Sequence, residues 1–225
     1  VKKQVYLQKS VLHGNQAWAE QNRKLFQKHS VLTVNLISSP GAGKTTLLER
    51  TIKDLKKYLR VGVIEGDVAT TLDAEKIAAQ GVKTVQINTH GACHLDAKMI
   101  SKIVENIQLS ELDLLVIENV GNLVCPAEFD LGENLRVALL STAEGEDKVL
   151  KYPSVFERAD VVILNKIDLL PYVAFNLKRF AQEIKKVNPN IPIFQLSAMN
   201  GEGMVQWITW LLNECEKQKQ KTESD

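Results

Sequence analysis

The chain is predicted to be an α/β protein, with a mostly parallel central sheet of about seven strands and helices on both faces. Short apolar runs recur at 31–37, 61–65, 84–88, 114–118, 137–141, 161–165 and 193–197, helical stretches at 44–58, 72–80, 95–107 and 174–187 separate most of them, and a final helix is expected at about 203–217. Strands that alternate with helices build βαβ units, and those units make a parallel sheet covered on both faces. A second observation agrees. Each chemical motif stands just beyond one of the apolar runs, at the carboxyl ends of strands, where open parallel sheets bind ligands.

Residues 10–29 are polar, with apolar positions at Val11, Leu12, Ala17, Trp18, Leu25 and Phe26. They are expected to form an amphipathic helix laid against the rest, so 1–30 is an N-terminal helical segment. The alternating pattern fills 31–215, one nucleotide-binding domain with an embedded metal site. The charged end, 216–225, is expected to be disordered. The chain begins at Val1 rather than Met, which leaves open a preceding segment.

Composition narrows the function. A formal net charge of +1 over 225 residues makes no electrostatic case for nucleic acid or an anionic membrane. No apolar run approaches the roughly 20 residues that span a bilayer, and the start carries no signal-peptide pattern. Three cysteines, an odd number in a long chain, do not suggest a disulfide framework. The default location is the cytoplasm.

Ser-Ser-Pro-Gly-Ala-Gly-Lys-Thr at 38–45 reads as a phosphate-binding loop. It follows one strand and opens a helix at Lys44, the context that motif requires, and it predicts a P-loop NTPase fold. Gly41 and Gly43 let backbone N–H groups surround an anion, and the helix start adds its positive end. The nucleotide contacts expected here are Gly41, Ala42, Gly43, Lys44, Thr45 and Thr46. Lys44 would reach the β- and γ-phosphates, and Thr45 would bind Mg²⁺ through its hydroxyl. The strict pattern has Gly where this chain has Ser38, a position with little phosphate contact.

Asn165, Lys166 and Asp168 form an Asn-Lys-x-Asp motif at the end of the apolar strand 161–165. A carboxylate at Asp168 can accept from guanine N1–H and the 2-amino group together. Adenine presents an acceptor at N1 and no 2-amino group, and a buried polar group left unpaired costs roughly 1–3 kcal/mol. GTP is therefore expected over ATP. Ser197 and Ala198 close the next strand and would pack beside the base, with a backbone donor for guanine O6. Glu-Asn-Val-Gly at 118–121 takes the place of the usual Asp-x-x-Gly, with Gly121 facing the γ-phosphate. Glu118 and Asp67 are two carboxylates near one phosphate, a pattern for Mg²⁺ binding and orientation of the attacking water. Lys44, Asp67 and Glu118 are the candidate catalytic residues, and Thr45, Asp67 and Glu118 the candidate Mg²⁺ ligands.

Cys93 and His94 follow the third strand, and Cys125 follows the 118–121 motif. Sulfur and imidazole suit Zn²⁺ or Ni²⁺. His90, Cys93 and His94 would share one face if they lay in a helical turn. Three ligands leave tetrahedral zinc one short, and water, His90 or a second subunit could supply the fourth. Cys215, beside Trp207, Trp210 and Leu211, reads as a packing residue.

Six segments together resemble the HypB family of GTPases: 38–46, Val-Ile-Glu-Gly-Asp at 63–67, Cys-His-Leu-Asp-Ala at 93–97, 117–127, Glu-Gly-Glu-Asp-Lys at 144–148 and 165–171. The resemblance runs from about 31 to 214 and takes in Ser38, which family members share. It implies a SIMIBI-class GTPase that dimerises with GTP, turns over slowly and serves nickel delivery to [NiFe]-hydrogenase or, in some organisms, urease. It places Cys93, His94 and Cys125 on the family's metal ligands, with Ni²⁺ or Zn²⁺ bound, and Gly41, Gly43, Lys44, Thr45, Asn165, Lys166 and Asp168 on its nucleotide contacts. It implies a HypA-like nickel chaperone and the hydrogenase large subunit as partners. Some members carry an N-terminal Cys-x-x-Cys-Gly-Cys motif or a His-rich stretch, and these 225 residues contain neither. The resemblance expects glycine at position 90. Two other readings compete: a small-molecule P-loop kinase, which the Asn-Lys-x-Asp motif opposes, and a nucleotide-gated metal-storage dimer with negligible catalysis.

Overall fold

The computed structural model describes residues 2–67, 72–89 and 91–224. Seven strands form one sheet: β1 (Leu32–Ser38), β2 (Val61–Asp67), β3 (Lys83–Asn88), β4 (Leu114–Glu118), β5 (Leu135–Ser141), β6 (Val161–Asn165) and β7 (Ile193–Gln195). Their order is β3-β2-β4-β1-β5-β6-β7, and every pairing is parallel. The sequence points to a mostly parallel sheet; the sheet is parallel throughout.

Among the described residues the helices are α1 (Lys2–Lys28), α2 (Lys44–Leu55), α3 (Leu72–Ala78), α4 (Ala97–Val104), α5 (Cys125–Glu128), α6 (Lys148–Lys151), α7 (Pro153–Glu157), α8 (Leu177–Val187) and α9 (Met204–Ser224). Alternation along the central strands divides the core in two. Leu32, Val34 and Leu36 of β1, Leu114 and Val116 of β4 and Val161 and Ile163 of β6 pack with Leu48 and Ile52 of α2 and Trp207 and Leu211 of α9. On the opposite face, Leu115 and Ile117 of β4 meet Phe26 of α1 and Ile100 of α4. Val162 and Leu164 of β6 meet Phe156 of α7 and Phe180 of α8 there. A strand apolar on both faces is buried on both, as a parallel sheet demands.

Helix starts fall where polar side chains cap them. Asp96 accepts from the Met99 N–H at 2.7 Å, so α4 opens at Ala97 and not at 95. Asn176 accepts from the Arg179 N–H at 3.0 Å and sets the start of α8 at Leu177 instead of 174. The short helices α5, α6 and α7 are too brief to leave a periodic signature in the sequence.

The charged end departs from expectation. α9 continues as helix through Ser224, where the charged composition of 216–225 points to disorder. Lys, Gln and Glu are good helix formers, and the segment is tethered. Lys219 reaches Asp113 at 2.9 Å, Lys217 pairs with Glu214 at 2.7 Å, and Gln218 is only 8 % exposed.

Candidate functional site

The motifs converge at the carboxyl edge of the sheet. β1 leads into the phosphate loop, and α2 opens immediately beyond it. Gly43 sits at φ +94°, and a Cβ there would come within 2.6 Å of Asn165 Nδ2. Position 43 therefore excludes a side chain for both backbone and packing reasons. Lys44 Nζ donates to Ser38 Oγ at 3.1 Å, and Thr45 Oγ1 donates to Glu118 Oε1 at 2.9 Å. The serine that replaces glycine at 38 is thus in contact with the loop lysine.

A cavity of about 530 Å³ opens over this loop, lined among others by Gly41, Gly43, Lys44, Thr45, Thr46, Glu118 and Gly121. Glu65 lines it too, a residue outside the candidates read from the motifs. Glu65 of β2 stands directly beside Glu118 of β4 in the parallel register, and each is 3 % exposed. The available signal was a carboxylate at the end of the apolar run 61–64. The side chain of Asp67 lies outside the described residues, as does His90. The Thr45 hydroxyl and the carboxylates of Glu65 and Glu118, all lining this cavity, are hard oxygen donors of the type that suits Mg²⁺.

The 165–168 motif braces the loop from the other side. Asn165 is 2 % exposed; its Nδ2 donates to Ala42 O at 3.0 Å, and its Oδ1 accepts from the Ala198 N–H at 3.0 Å. One amide thereby ties the phosphate loop to the loop carrying Ser197 and Ala198. Lys166 Nζ donates to Gly41 O at 2.7 Å. Asp168 differs from both: its Oδ1 is buried with no hydrogen-bond partner. A carboxylate oxygen in that condition fits a donor pair brought by a ligand.

Cys93, His94 and Cys125 come together, with ligand atoms all within 4.8 Å of one another. The two thiols are 2.9 Å apart, and Cys93 Sγ is 3.6 Å from His94 Nδ1. The His94 ring packs on Phe129 at a tilt of 32°, with centroids 3.9 Å apart. Burial pushes the His94 imidazole below its ordinary range, against an upward pull from Asp96, which favours the neutral form over the protonated one. The neighbouring Cys93 and then burial push the Cys125 thiol up. Cys93 and His94 lie in bends ahead of α4, not in a helical turn, because Asp96 starts the helix after them.

The two sites are physically joined. Asn119, 1 % exposed and lining the cavity beside Glu118, accepts from the Leu95 N–H at 3.1 Å and donates to Asn35 Oδ1 at 3.2 Å. Asn122 Nδ2 donates to Cys93 O at 3.3 Å. The strand end that lines the cavity over the phosphate loop is thereby hydrogen-bonded to the loop that carries two of the metal-ligand candidates.

A family described as CobW/HypB/UreG, nucleotide-binding domain, matches residues 32–195. The hydrogenase maturation factor HypB of Escherichia coli K12 is 51 % identical over 201 residues, covering 89 % of this chain and 69 % of that protein. The chain belongs to the HypB family. Two solved HypB structures share its fold. HypB from Helicobacter pylori, in complex with nickel, is 38 % identical with a TM-score of 0.86 and covers 91 % of this chain and 96 % of that one. HypB from Archaeoglobus fulgidus is also 38 % identical, with a TM-score of 0.85 over 90 % of this chain and 99 % of that one. Membership in the HypB family agrees with the phosphate loop, the parallel sheet and the resemblance read from the six segments.

Proposed function

We propose that this chain is a GTP-binding, slowly GTP-hydrolysing metallochaperone that couples nucleotide state to binding and delivery of nickel or zinc during [NiFe]-hydrogenase maturation. The observation that carries the reading is the joining of two chemically unlike sites by one short stretch of chain. Hard oxygen donors and a phosphate loop stand at Glu118, and soft thiolate and imidazole donors gather at Cys125, seven positions later. Relatives named hydrogenase maturation factors and a related structure in complex with nickel support the metal assignment.

In this reading Lys44 balances the charge of the β- and γ-phosphates, and Gly41, Ala42, Gly43, Thr45 and Thr46 cradle them. Thr45, Asp67 and Glu118 are the residues that would hold Mg²⁺, and the ion would supply charge withdrawal from the phosphates. Attack of water on the γ-phosphorus breaks the bond to the bridging oxygen and yields GDP and phosphate. Gly121 faces the γ-phosphate. Asn165 and Lys166 brace the loop, Asp168 accepts from guanine, and Ser197 and Ala198 flank the base. Cys93, His94 and Cys125 bind the metal cargo, which displaces thiol protons as it enters. Dimerisation with GTP brings a second copy to the site. A HypA-like chaperone and the hydrogenase large subunit are the partners, and the cytoplasm is the compartment.

Asp168→Asn tests the nucleotide half. The substitution puts a donor where guanine brings its 2-amino group and suits the 2-oxo group of xanthine. GTP affinity should fall more than tenfold, about 1.4 kcal/mol, while XTP affinity rises. Unchanged GTP affinity would sink the guanine assignment. Phosphate release from GTP without any added acceptor separates a GTPase from a kinase.

A further inference from the structure

We propose that helix α1 is a built-in clamp on the metal site, with Asn15 and Asn22 as positioning residues that fix the loop of Cys93 and His94 against the loop of Cys125. The proposal rests on the metal reading of those three side chains.

Ala97 opens α4 three positions after His94. Its N–H is one of the donors that a helix start leaves without an internal partner. Asp96 caps Met99 instead, and the Ala97 N–H donates across the molecule to Asn15 Oδ1 at 2.8 Å. The other end of the same amide, Asn15 Nδ2, donates to Asp130 O at 2.7 Å. Asn22 repeats the arrangement about two helical turns further along the same face. Its Nδ2 donates to Ala97 O at 2.8 Å and to Leu131 O at 3.0 Å. Each asparagine has one bond to the segment beyond His94 and one to the segment beyond Cys125. The Arg23 guanidinium adds a third tie, with Nη2 at 2.9 and 2.7 Å from the two oxygens of Asp130.

These amides are not surface decoration. Asn22 is 1 % exposed and Asn15 9 %, amid Ala19 and Phe26, which are fully buried. Gly132 lies so close against α1 that a Cβ there would come within 2.7 Å of Asn22 Cβ. The helix is therefore seated tightly against one of the two segments and capped onto the other. A chelate whose ligands sit on separate loops gains affinity when the loops are held in place before the ion arrives. α1 supplies that hold from outside the ligand set, as an outer partner that orients ligands does at other metal sites.

Asn22→Asp tests the clamp on the full 225-residue chain. The carboxylate keeps the shape but has no hydrogen for Ala97 O or Leu131 O. Zn²⁺ affinity, read by competition with a chromophoric chelator, should fall at least tenfold. The thiolate-to-metal charge-transfer band of the Ni²⁺-loaded protein should shift or weaken, while GDP affinity stays at the parent value. Cys93→Ala is the control for the metal reading, since it should abolish tight binding in either case. If Cys93→Ala binds metal like the parent, the metal reading itself fails. If Cys93→Ala loses the metal while Asn22→Asp keeps parent affinity and spectrum, the clamp is overturned. Should Asn22→Asp lose GDP binding because it does not fold, Arg23→Gln at the half-exposed rim of the same contact carries the test. Parent affinity and parent spectrum in that variant overturn the proposal; a loss in both supports it.

Discussion

The three cysteines occupy three environments, and their reactivity should divide accordingly. Cys215 is 1 % exposed, and burial pushes its thiol up to about 12. Cys93 is exposed and Cys125 half-exposed. The thiolate is the nucleophile, so iodoacetamide on the native protein should modify Cys93 and Cys125 and spare Cys215 until the fold is broken. Cys125, with its thiol raised by Cys93, should be the slower of the two and should accelerate as pH rises. Peptide mass mapping of the native and unfolded protein checks this, and modification of native Cys215 would contradict its packing role. The pairing of Cys93, His94 and Cys125 was legible because two ligand types adjoin and both segments follow strand ends. Glu65 was not legible as a site residue. Its place beside Glu118 depends on the pairing register of two strands far apart in the chain, and alternation within one strand says nothing about its neighbour. The second use of Asn165 and Lys166, as braces of the phosphate loop, was hidden for the same reason.

Elements were legible in kind and less so at their ends. The strands β4 and β6 fall at 114–118 and 161–165 as the apolar runs indicate, since a run buried on both faces has sharp polar limits. Helix ends are set by caps such as Asp96 and Asn176, which periodicity does not report. The end of α9 was misjudged because its anchor is remote. Asp113, at the entrance to β4, accepts from Arg60 Nε and Nη2 at 3.0 Å each, from the Arg60 N–H at 2.8 Å and from Lys219 at 2.9 Å. Burial pushes its carboxyl up, but Arg60 and Lys219 together hold it well below the usual carboxylate range. A carboxyl depressed in the folded state binds its proton less readily there than in the unfolded chain, where its value is about 3.9. The stabilisation is therefore complete above about pH 4 and is lost as pH falls through the lower folded value. Asp113→Asn should cost about 1–2 kcal/mol at pH 7, a figure reduced because Arg60 is more than half exposed and screened. Urea unfolding of the variant between pH 7 and 2 should show a shallower acid loss than the parent. Parallel acid profiles would show that Asp113 does not anchor this corner.

At the scale of the molecule, the strand order places β4 between β2 and β1, so the segment leaving β4 runs past the phosphate loop and on to Cys125. Asn119 sits at the branch. It joins Leu95, two positions beyond Cys93, to the strand end that carries Glu118, and through Asn35 it reaches Glu133 at 3.1 Å. A displacement of 118–121 on exchange of GDP for GTP would pull on the metal loop through a buried hydrogen bond, not only along the chain. Spatial intermediacy does not establish coupling; a shift in one equilibrium by the other ligand does. Metal titration of the GDP-bound protein and of the protein bound to a non-hydrolysable GTP analogue should give affinities that differ by about 5- to 150-fold, the usual span of 1–3 kcal/mol. By reciprocity the metal must shift nucleotide binding or dimerisation by the same free energy, which light scattering on the same samples reads. Lys44→Ala removes the charge proposed to sense the phosphates and should bring the two metal affinities together with Cys93 and Cys125 intact. Asn119→Ala cuts the bond to Leu95 and should also shrink the ratio toward one, at a stability cost of about 1–3 kcal/mol for the buried partners left behind. A full ratio in Asn119→Ala would move the route to the backbone between Gly121 and Cys125. Equal metal affinities and equal masses in both nucleotide states of the parent would show that the two sites, though hydrogen-bonded to each other, do not act as one switch.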